Sequence, residues 1–386
     1  MKQRIALLGS TGSIGRQTLD IVRRHPDMFS VETLTASRSW QTLASQAREF
    51  EPDSVVIADK SFYLPLKEAL ADLPVKVYAG DDAVRQVAGG GNVDVVVNAI
   101  VGYAGLEPTV EAVKNGKKLA MANKESLVVA GQIVMRLAAE NKAPILPIDS
   151  EHSAILQCLV GETSPVKRLI ITASGGALRD LPASEFGSVT PERALRHPNW
   201  NMGAKITIDS ATLVNKGFEV IEAHHLFGLP AEKIDVTLHA QSVVHSMVEF
   251  EDGVIKAQMG SPDMRLPIQY ALFFPARPEL PDGRFDFGDF LSLTFEPVDR
   301  VKYPALDIAY DCLRRAGNRG CVMNAANEVA VAAFLARRIG FGDIVRTIEH
   351  TLGAVSFEAD MSLDDYRECN VQSQAVAGEF VSKIRK

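Results

Sequence analysis

Several broad protein classes are excluded by what this chain lacks. Only four of its 386 residues are cysteine, Cys158, Cys312, Cys321 and Cys369, and none forms a C-x-x-C pair. They read as free thiols in a reducing compartment. No apolar run approaches the ~18 residues of a membrane span; the best stretch, from Val93 to Leu106, is broken by Asp94 and Asn98. There is no basic excess either. The 41 Lys+Arg against 48 Asp+Glu leave a net charge of −7, the wrong sign for a protein that binds nucleic acid by neutralising phosphates. Met1-Lys2-Gln3-Arg4 runs straight into Ile5–Leu8, too short for the apolar core of a signal peptide, and no Arg/Ser-rich leader such as a plastid protein needs precedes it. Internal repeats and low-complexity tracts are also missing. The expectation is a soluble protein of the bacterial cytoplasm with neither membrane nor nucleic-acid partner.

What is present is a globular mixture of 46% hydrophobic and 23% charged residues. The length gives two or three domains at ~150 residues each. The first part alternates strand-like runs (Ile5–Leu8, Val31–Ala36, Ser54–Ala58, Val75–Ala79, Val93–Ala99, Lys118–Ala122, Ala143–Ile148) with amphipathic stretches such as Gly15–Arg24 and Trp40–Phe50. That alternation predicts an α/β fold with an N-terminal Rossmann-like parallel sheet covered on both faces, over residues 1–148. A central α+β catalytic domain follows over 149–274, with strands at Arg168–Ala173, Asp235–His239 and Val243–Phe250 and a helix at Phe218–Phe227. Within it, Thr190–Lys205 resembles neither element, which marks a functional or disordered loop. Prolines punctuate a connecting segment at 275–304. Residues 305–386 form a C-terminal helical bundle, with helices at Ala305–Ala316, Ala325–Arg338, Gly342–Val355 and Leu363–Ile384. Ser362 and Asp365 have capping-box spacing at the start of the last helix.

Three groups of residues carry chemistry. Gly9-Ser10-Thr11-Gly12-Ser13-Ile14-Gly15 follows the first strand and opens a helix. Glycines there permit a tight turn, and the free N–H groups of the helix start favour a pyrophosphate. The spacing is G-x-x-G-x-x-G, a departure from G-x-G-x-x-G. The next strand ends at Ser37-Arg38-Ser39, with a guanidinium and two hydroxyls where an NAD enzyme places an acid, and this favours NADPH over NADH.

Asp149 and Glu151 flank Ser150 at the end of a strand pattern, where extended backbone puts both carboxylates on one side. Two like charges side by side call for a cation or a proton, and oxygen ligands favour Mg²⁺ or Mn²⁺. A third ligand is available on the helix after Asn215-Lys216-Gly217, from Glu219 or Glu222, and spacing alone does not choose between them.

Small polar residues gather in Ser174-Gly175-Gly176, Asp209-Ser210-Ala211-Thr212 and Asn215-Lys216, a set suited to a phosphate-bearing substrate. Lys124, in Ala122-Asn123-Lys124-Glu125-Ser126, follows a strand where ligands collect in open α/β sheets. His197-Pro198-Asn199-Trp200-Asn201-Met202-Gly203 has the composition of a lid that closes over substrate, or of apolar packing under a loop. His224, His225, His239 and His245 read as structural.

Taken in order, these blocks, together with His239–His245 and Pro262-Asp263-Met264-Arg265, closely resemble the 1-deoxy-D-xylulose 5-phosphate reductoisomerase family over the whole chain. The resemblance implies an enzyme of non-mevalonate isoprenoid synthesis. It would rearrange a phosphorylated ketose, by retro-aldol cleavage and re-addition, and reduce the branched aldehyde with NADPH to 2-C-methyl-D-erythritol 4-phosphate. Asp149, Glu151 and Glu219 would hold the divalent metal, which resolves the choice in favour of Glu219. Lys124, Ser150 and Glu151 would meet the reacting end of the substrate. Ser174, His197, Ser210, Asn215 and Lys216 would hold the rest, chiefly its phosphate, with Trp200 and Met202 in the lid. Of these, Lys124, Glu151 and His197 would be catalytic. NADPH would lie on Thr11, Gly12, Ser13 and Ile14, with Ser37, Arg38 and Ser39 at its 2′-phosphate and Asn123, Glu125 and Gly203 completing the site. The family is homodimeric. Ser37 and Ser39 stand where members often have Gly and Asn, and Ala173 where some have Gly. Two rivals make different demands: a plain NADP-dependent dehydrogenase needs no divalent ion, and an NADP(H) sensor turns over no substrate.

Overall fold

The structure is a computed structural model that describes residues 2–200, 202–281, 285–289 and 292–384. Asn201, inside the lid-like block, lies outside the described residues. By contact the chain forms two compact units: residues 1–126, 133–153 and 263–283, and residues 127–132, 154–262 and 284–386.

The first unit is built on a seven-stranded sheet: β1 (Gln3–Leu8), β2 (Phe29–Ala36), β3 (Ser54–Ile57), β4 (Lys76–Ala79), β5 (Val95–Asn98), β6 (Lys118–Met121) and β7 (Ile145–Pro147). They lie in the order β4-β3-β2-β1-β5-β6-β7, and every pairing is parallel. Helices cover both faces of such a sheet, so its central strands must be apolar on both sides. Accordingly Ile5 to Leu8, Val55 to Ile57 and Val95 to Val97 are buried without alternation. The strand order reverses between β1 and β5, the crevice where open α/β sheets bind ligands.

One part of this unit was not legible in the sequence. The Arg265–Phe273 helix, assigned above to the catalytic stretch, packs on the parallel sheet's side of the chain. Phe273 meets His25 and Phe29 edge-on at 4.7 and 4.9 Å, and Lys118 Nζ donates to the Leu272 carbonyl at 2.7 Å.

The second unit holds a mixed five-stranded sheet: β8 (Val166–Ala173), β9 (Ile234–Leu238), β10 (Val244–Phe250), β11 (Ile255–Met259) and β12 (Glu296–Pro297), in the order β11-β10-β8-β9-β12. β8 and β9 are parallel, and β10 runs antiparallel to β8 and β11. The Val214–Phe227 helix packs on the Pro304–Arg315 helix at close range: a Cβ on Gly217 would stand 2.6 Å from that of Ala309. Phe218, Met323, Phe334 and Ile348 fill the core beneath the terminal helices. Those helices are Pro304–Arg315, Arg319–Leu335, Asp343–Ala354 and Leu363–Lys383. The second starts six residues before its expected Ala325, because Gly320 to Ala326 are buried all round and show no amphipathic stripe. Ser362 and Asp365 make the expected capping box, each side chain bonded to the other's backbone N–H.

Candidate active site

The glycine-rich turn joins β1 to the Ser13–Arg24 helix, as its sequence predicts. Gly9 has φ +82°, and a Cβ there would stand 2.8 Å from the Ala99 carbonyl oxygen; one on Gly15 would meet Gly9 O at 2.4 Å. These two glycines let the turn fold back on itself beside β5. Gly12 is the helix N-cap, no side chain caps it, and no acid lies in the first turn. The N–H groups at Ser13 and Ile14 therefore face outward in a field that favours an anion. Ser10 braces the turn from below, bonding to Thr35 O and Gln46. Such a cradle, with backbone donors and no side chain in the way, fits a dinucleotide pyrophosphate.

Ser37, Arg38 and Ser39 are exposed at the end of β2. Arg38 is 77% exposed and is braced by Asp59 at 3.1 Å. Asp59, at the end of β3, also accepts from Ser61, whose hydroxyl and backbone N–H hold its carboxyl below the usual range ahead of Arg38 itself. The sequence reading missed this acid because it lies a full βαβ unit away from Arg38.

Asn123 is buried and commits its amide nitrogen to the carbonyls of Ile100 and Gly102, while its oxygen accepts from Ser126. Its visible work is to shape the loop after β5. Beside it, buried Glu125 begins the Glu125–Glu140 helix.

The acidic pair is placed by a different element from the one expected. β7 ends at Pro147 and Ser150 opens a helix, so Asp149 and Glu151 are not alternate residues of a strand. Asp149 O accepts from Ser153 N at the helix start, and Glu151 lies in the first turn. A strand-to-helix junction concentrates polar side chains because its N–H groups need partners. Lys124 places its ammonium on the Asp149 carboxylate, both nearly buried, and His152 Nδ1 lies 3.9 Å from the same oxygen. Ser150 donates to the Glu151 carboxylate. Oxygen-only donors of this kind, low in accessibility and beside a Lys, suit a hard divalent cation.

On the second unit, a turn and two helices gather most of the remaining residues. Gly175 and Gly176 follow β8 with φ +80° and +66°, and a Cβ on Gly176 would stand 2.7 Å from Ser210 O and 2.8 Å from Ala211 Cα. That approach brings the Ser174 turn onto the Ala204–Thr212 helix at Ser210. Leu213, itself left-handed at φ 58°, separates this helix from the Val214–Phe227 helix. Asn215 and Lys216 stand in the first turn after it, and both donate to the Glu219 carboxylate, which is 1% exposed. Glu222, the alternative ligand, is equally buried on the next turn.

His197 bonds to Ser174 Oγ through Nε2 at 2.9 Å. Its Nδ1 accepts the backbone N–H groups of Asn199 and Trp200 at 3.1 and 3.0 Å. A nitrogen that accepts twice carries no proton, so the ring is neutral and Nε2–H donates to Ser174. Burial, with Arg179 nearby, lowers its pKa to about 4 and keeps it so. Ser174 Oγ accepts from Gly176 N as well, at 3.2 Å, which leaves its hydroxyl proton to point at a ligand. Trp200 lies 6.1 Å from the His245 ring, and Gly203 caps the Ala204–Thr212 helix in open space; Met202 between them is half-buried. His239, by contrast, is structural as expected: Nδ1 donates to Thr294 O and Nε2 accepts from Val243 and Val244 N.

Known proteins of one family match the chain over nearly its full length. Models of 1-deoxy-D-xylulose 5-phosphate reductoisomerase match residues 5–131, and those of its C-terminal domains match residues 145–227 and 259–376. The Bacteroides fragilis reductoisomerase is 52% identical over 383 residues, 99% of each chain, and that of Chlorobaculum tepidum 49% over 378 residues, 98% of this chain and 99% of that one. Among solved structures, the Zymomonas mobilis reductoisomerase in complex with NADPH superposes with TM-score 0.91 at 45% identity, covering 99% of both chains. A second reductoisomerase, in complex with NADPH, fosmidomycin and magnesium, gives 0.93 at 38% identity over 98% of both. Matched by these models and by relatives and structures over nearly its full length, the chain belongs to the 1-deoxy-D-xylulose 5-phosphate reductoisomerase family.

Proposed function

We propose that the chain converts 1-deoxy-D-xylulose 5-phosphate to 2-C-methyl-D-erythritol 4-phosphate, using NADPH and Mg²⁺ or Mn²⁺. Family membership over the full length supports the reaction. The observation that supports the substrate's chemistry is the junction at Gly176, where the turn carrying Ser174, hydrogen-bonded to His197, meets the backbone of the Ala204–Thr212 helix at Ser210, with Asn215 and Lys216 opening the helix that follows. The anion-ready helix start fits the nucleotide, and the oxygen-only carboxylates fit a divalent cation. Neither a dehydrogenase without rearrangement nor a sensor accounts for these carboxylates.

In this reading residues 1–148 bind nucleotide, 149–274 bind metal and substrate, and 305–386 form the helical domain joined through 275–304. Asp149, Glu151 and Glu219 would hold the metal, which when bound supplies Lewis-acid polarisation of the ketose carbonyl and neighbouring hydroxyl, while NADPH supplies the hydride. Ser150 and Glu151 orient the reacting hydroxyl. Lys124, held by Asp149, keeps a positive charge where negative charge develops on oxygen. Ser174, His197, Ser210, Asn215 and Lys216 bind the phosphate, whose remote binding energy orders the reacting end. His197, neutral and tautomerically fixed, donates without titrating near neutral pH. Thr11, Gly12, Ser13 and Ile14 hold the pyrophosphate, Ser37, Arg38 and Ser39 the 2′-phosphate, and Asn123, Glu125 and Gly203 the remainder of the nucleotide site. Trp200 and Met202 close over substrate and exclude water.

No helix among the described residues is long and apolar enough to cross a membrane. The curated relatives are bacterial, and all four cysteines are free and buried; both support the bacterial cytoplasm as the compartment, and the homodimer is carried over from the family resemblance alone. Sedimentation at micromolar concentration tests the dimer. Turnover of the ketose phosphate, with product identified by mass and NMR, tests the reaction; reduction without carbon-skeleton rearrangement would refute it.

A further inference from the structure

Arg179 has no place in the ligand assignments above, yet it sits under the Ser174–His197 pair. Its aliphatic stem lies over Gly175: a Cβ on that glycine would meet Arg179 Cγ at 2.8 Å and Cβ and Cδ at 3.0 Å. Its Nη1 donates to the Ser174 carbonyl at 3.0 Å and more weakly to the Ala240 carbonyl at 3.4 Å. The same Ala240 oxygen accepts Asn199 Nδ2 at 2.7 Å. Asn199 is also one of the two residues whose backbone N–H fixes the His197 tautomer. Three separate segments, the turn after β8, the start of the lid-like block and the loop between β9 and β10, are therefore tied at one carbonyl and one guanidinium.

We propose that Arg179 and Asn199 are positioning residues, which tie the Ser174 turn to the His197 segment through the Ala240 carbonyl and so hold the His197–Ser174 hydrogen bond in place, with the Ser174 hydroxyl aimed at the substrate's phosphate. The role requires neither residue to touch the ligand. Arg179 suits the task because its Nη1, at the end of a rigid planar guanidinium, carries two N–H groups in fixed directions that meet both carbonyls, whereas the point charge of a lysine fixes no such directions. Its remaining partner, Asp180, lies at 3.4–3.5 Å and is 87% exposed, so that contact is a weak restraint. The φ of +80° at Gly175 and the stem packed against it explain why the turn carries Gly there, with Arg four residues on.

This inference rests on the functional reading above, and two readouts separate the fate of one from the other. Arg179→Met keeps the stem and removes the guanidinium; Asn199→Ala removes the second tie without touching the turn. Each is expected to raise KM for 1-deoxy-D-xylulose 5-phosphate up to about tenfold, the scale of one hydrogen bond, with kcat within about twofold and NADPH affinity unchanged. Arg179→Lys is expected to recover part of the KM. Nitrogen-15 NMR of the imidazoles in the full chain supplies the activity-independent readout. The Nε2-protonated signal of His197 is expected to lose its tautomeric bias in Arg179→Met and Asn199→Ala. An unchanged KM and imidazole signal in both variants would overturn the proposal. So would a parallel fall in kcat, NADPH affinity and thermal midpoint without rescue by lysine, which would make the pair merely structural. If the wild-type chain fails to turn over the ketose phosphate, the functional reading fails, and the imidazole signals alone decide whether Arg179 and Asn199 position His197.

Discussion

In the proposed ligand set, Asp149 is the residue on which the metal chemistry would turn. It is nearly buried, with the Lys124 ammonium on its carboxylate and the His152 ring close by. Asp149→Asn keeps the shape and removes the charge that a divalent ion needs. Activity is expected to fall at least about a hundredfold, the scale of the several kcal/mol a Lewis acid contributes, while NADPH binding, measured by fluorescence titration, stays intact. Full metal-dependent activity in this variant would show that the ligand assignment is wrong. At His197 the sign of the pH effect follows from its low pKa of about 4, against 6.5 for an ordinary imidazole. The folded ring is neutral above about pH 4, so KM for the ketose phosphate is expected to show no ionisation of this group between pH 5.5 and 8, roughly the span over which an unperturbed histidine titrates. An inflection near pH 6.5 that disappears in His197→Gln would contradict the tautomer assigned here.

At the scale of elements, the close approach of the Gly176 turn to the Ala204–Thr212 helix is the most sensitive contact. Gly176→Ala adds a Cβ 2.7 Å from Ser210 O at φ +66°. The left-handed penalty alone is about 1–2 kcal/mol, and relief of the clash requires the turn that carries Ser174 to move off the backbone of the Ala204–Thr212 helix. KM for substrate is expected to rise about tenfold or more, and NADPH affinity to remain that of the wild type; an unchanged KM would mean the junction does not shape the site. Far from it, Ser362→Ala removes a complete capping box and is expected to cost about 1 kcal/mol with no change in kcat.

These elements also mark what could be read in advance. The parallel sheet was legible because its strands are short unbroken apolar runs between helix patterns, and Trp40–Phe50 was placed to the residue. The Ser150–Leu159, Ala204–Thr212 and Arg265–Phe273 helices were not: their inner and outer faces are both largely buried, so no helical stripe shows. β11, Ile-Lys-Ala-Gln-Met, is an edge strand too polar to stand out. Among site residues, blocks of unusual composition such as Ser174-Gly175-Gly176 were visible. Arg179 and Asp59 were not, because a single charged residue in a loop carries no signal until the fold supplies its partner.

Over the whole molecule, buried neutral histidines set the response to acid. His197 and His225 have pKa values lowered to about 4 and about 3, chiefly by burial, and His239 is lowered for the same reason. Unfolded, each binds a proton near pH 6.5; folded, it does not. Between those values the unfolded state holds more protons, so stability falls as pH drops below about 6.5. A calorimetric midpoint lower at pH 5 than at pH 7.5 is expected, and His225→Asn, if it folds, should flatten the slope. A midpoint independent of pH over that range would refute the neutral-histidine account.

The most direct test of the central claim is the loss of NADPH absorbance on adding 1-deoxy-D-xylulose 5-phosphate, run with Mg²⁺, with Mn²⁺, and with EDTA. The expected result is oxidation that requires a divalent ion, is lost in EDTA, is restored by metal, and yields 2-C-methyl-D-erythritol 4-phosphate. Oxidation that persists in EDTA, or no oxidation by a folded, NADPH-binding chain, would contradict it.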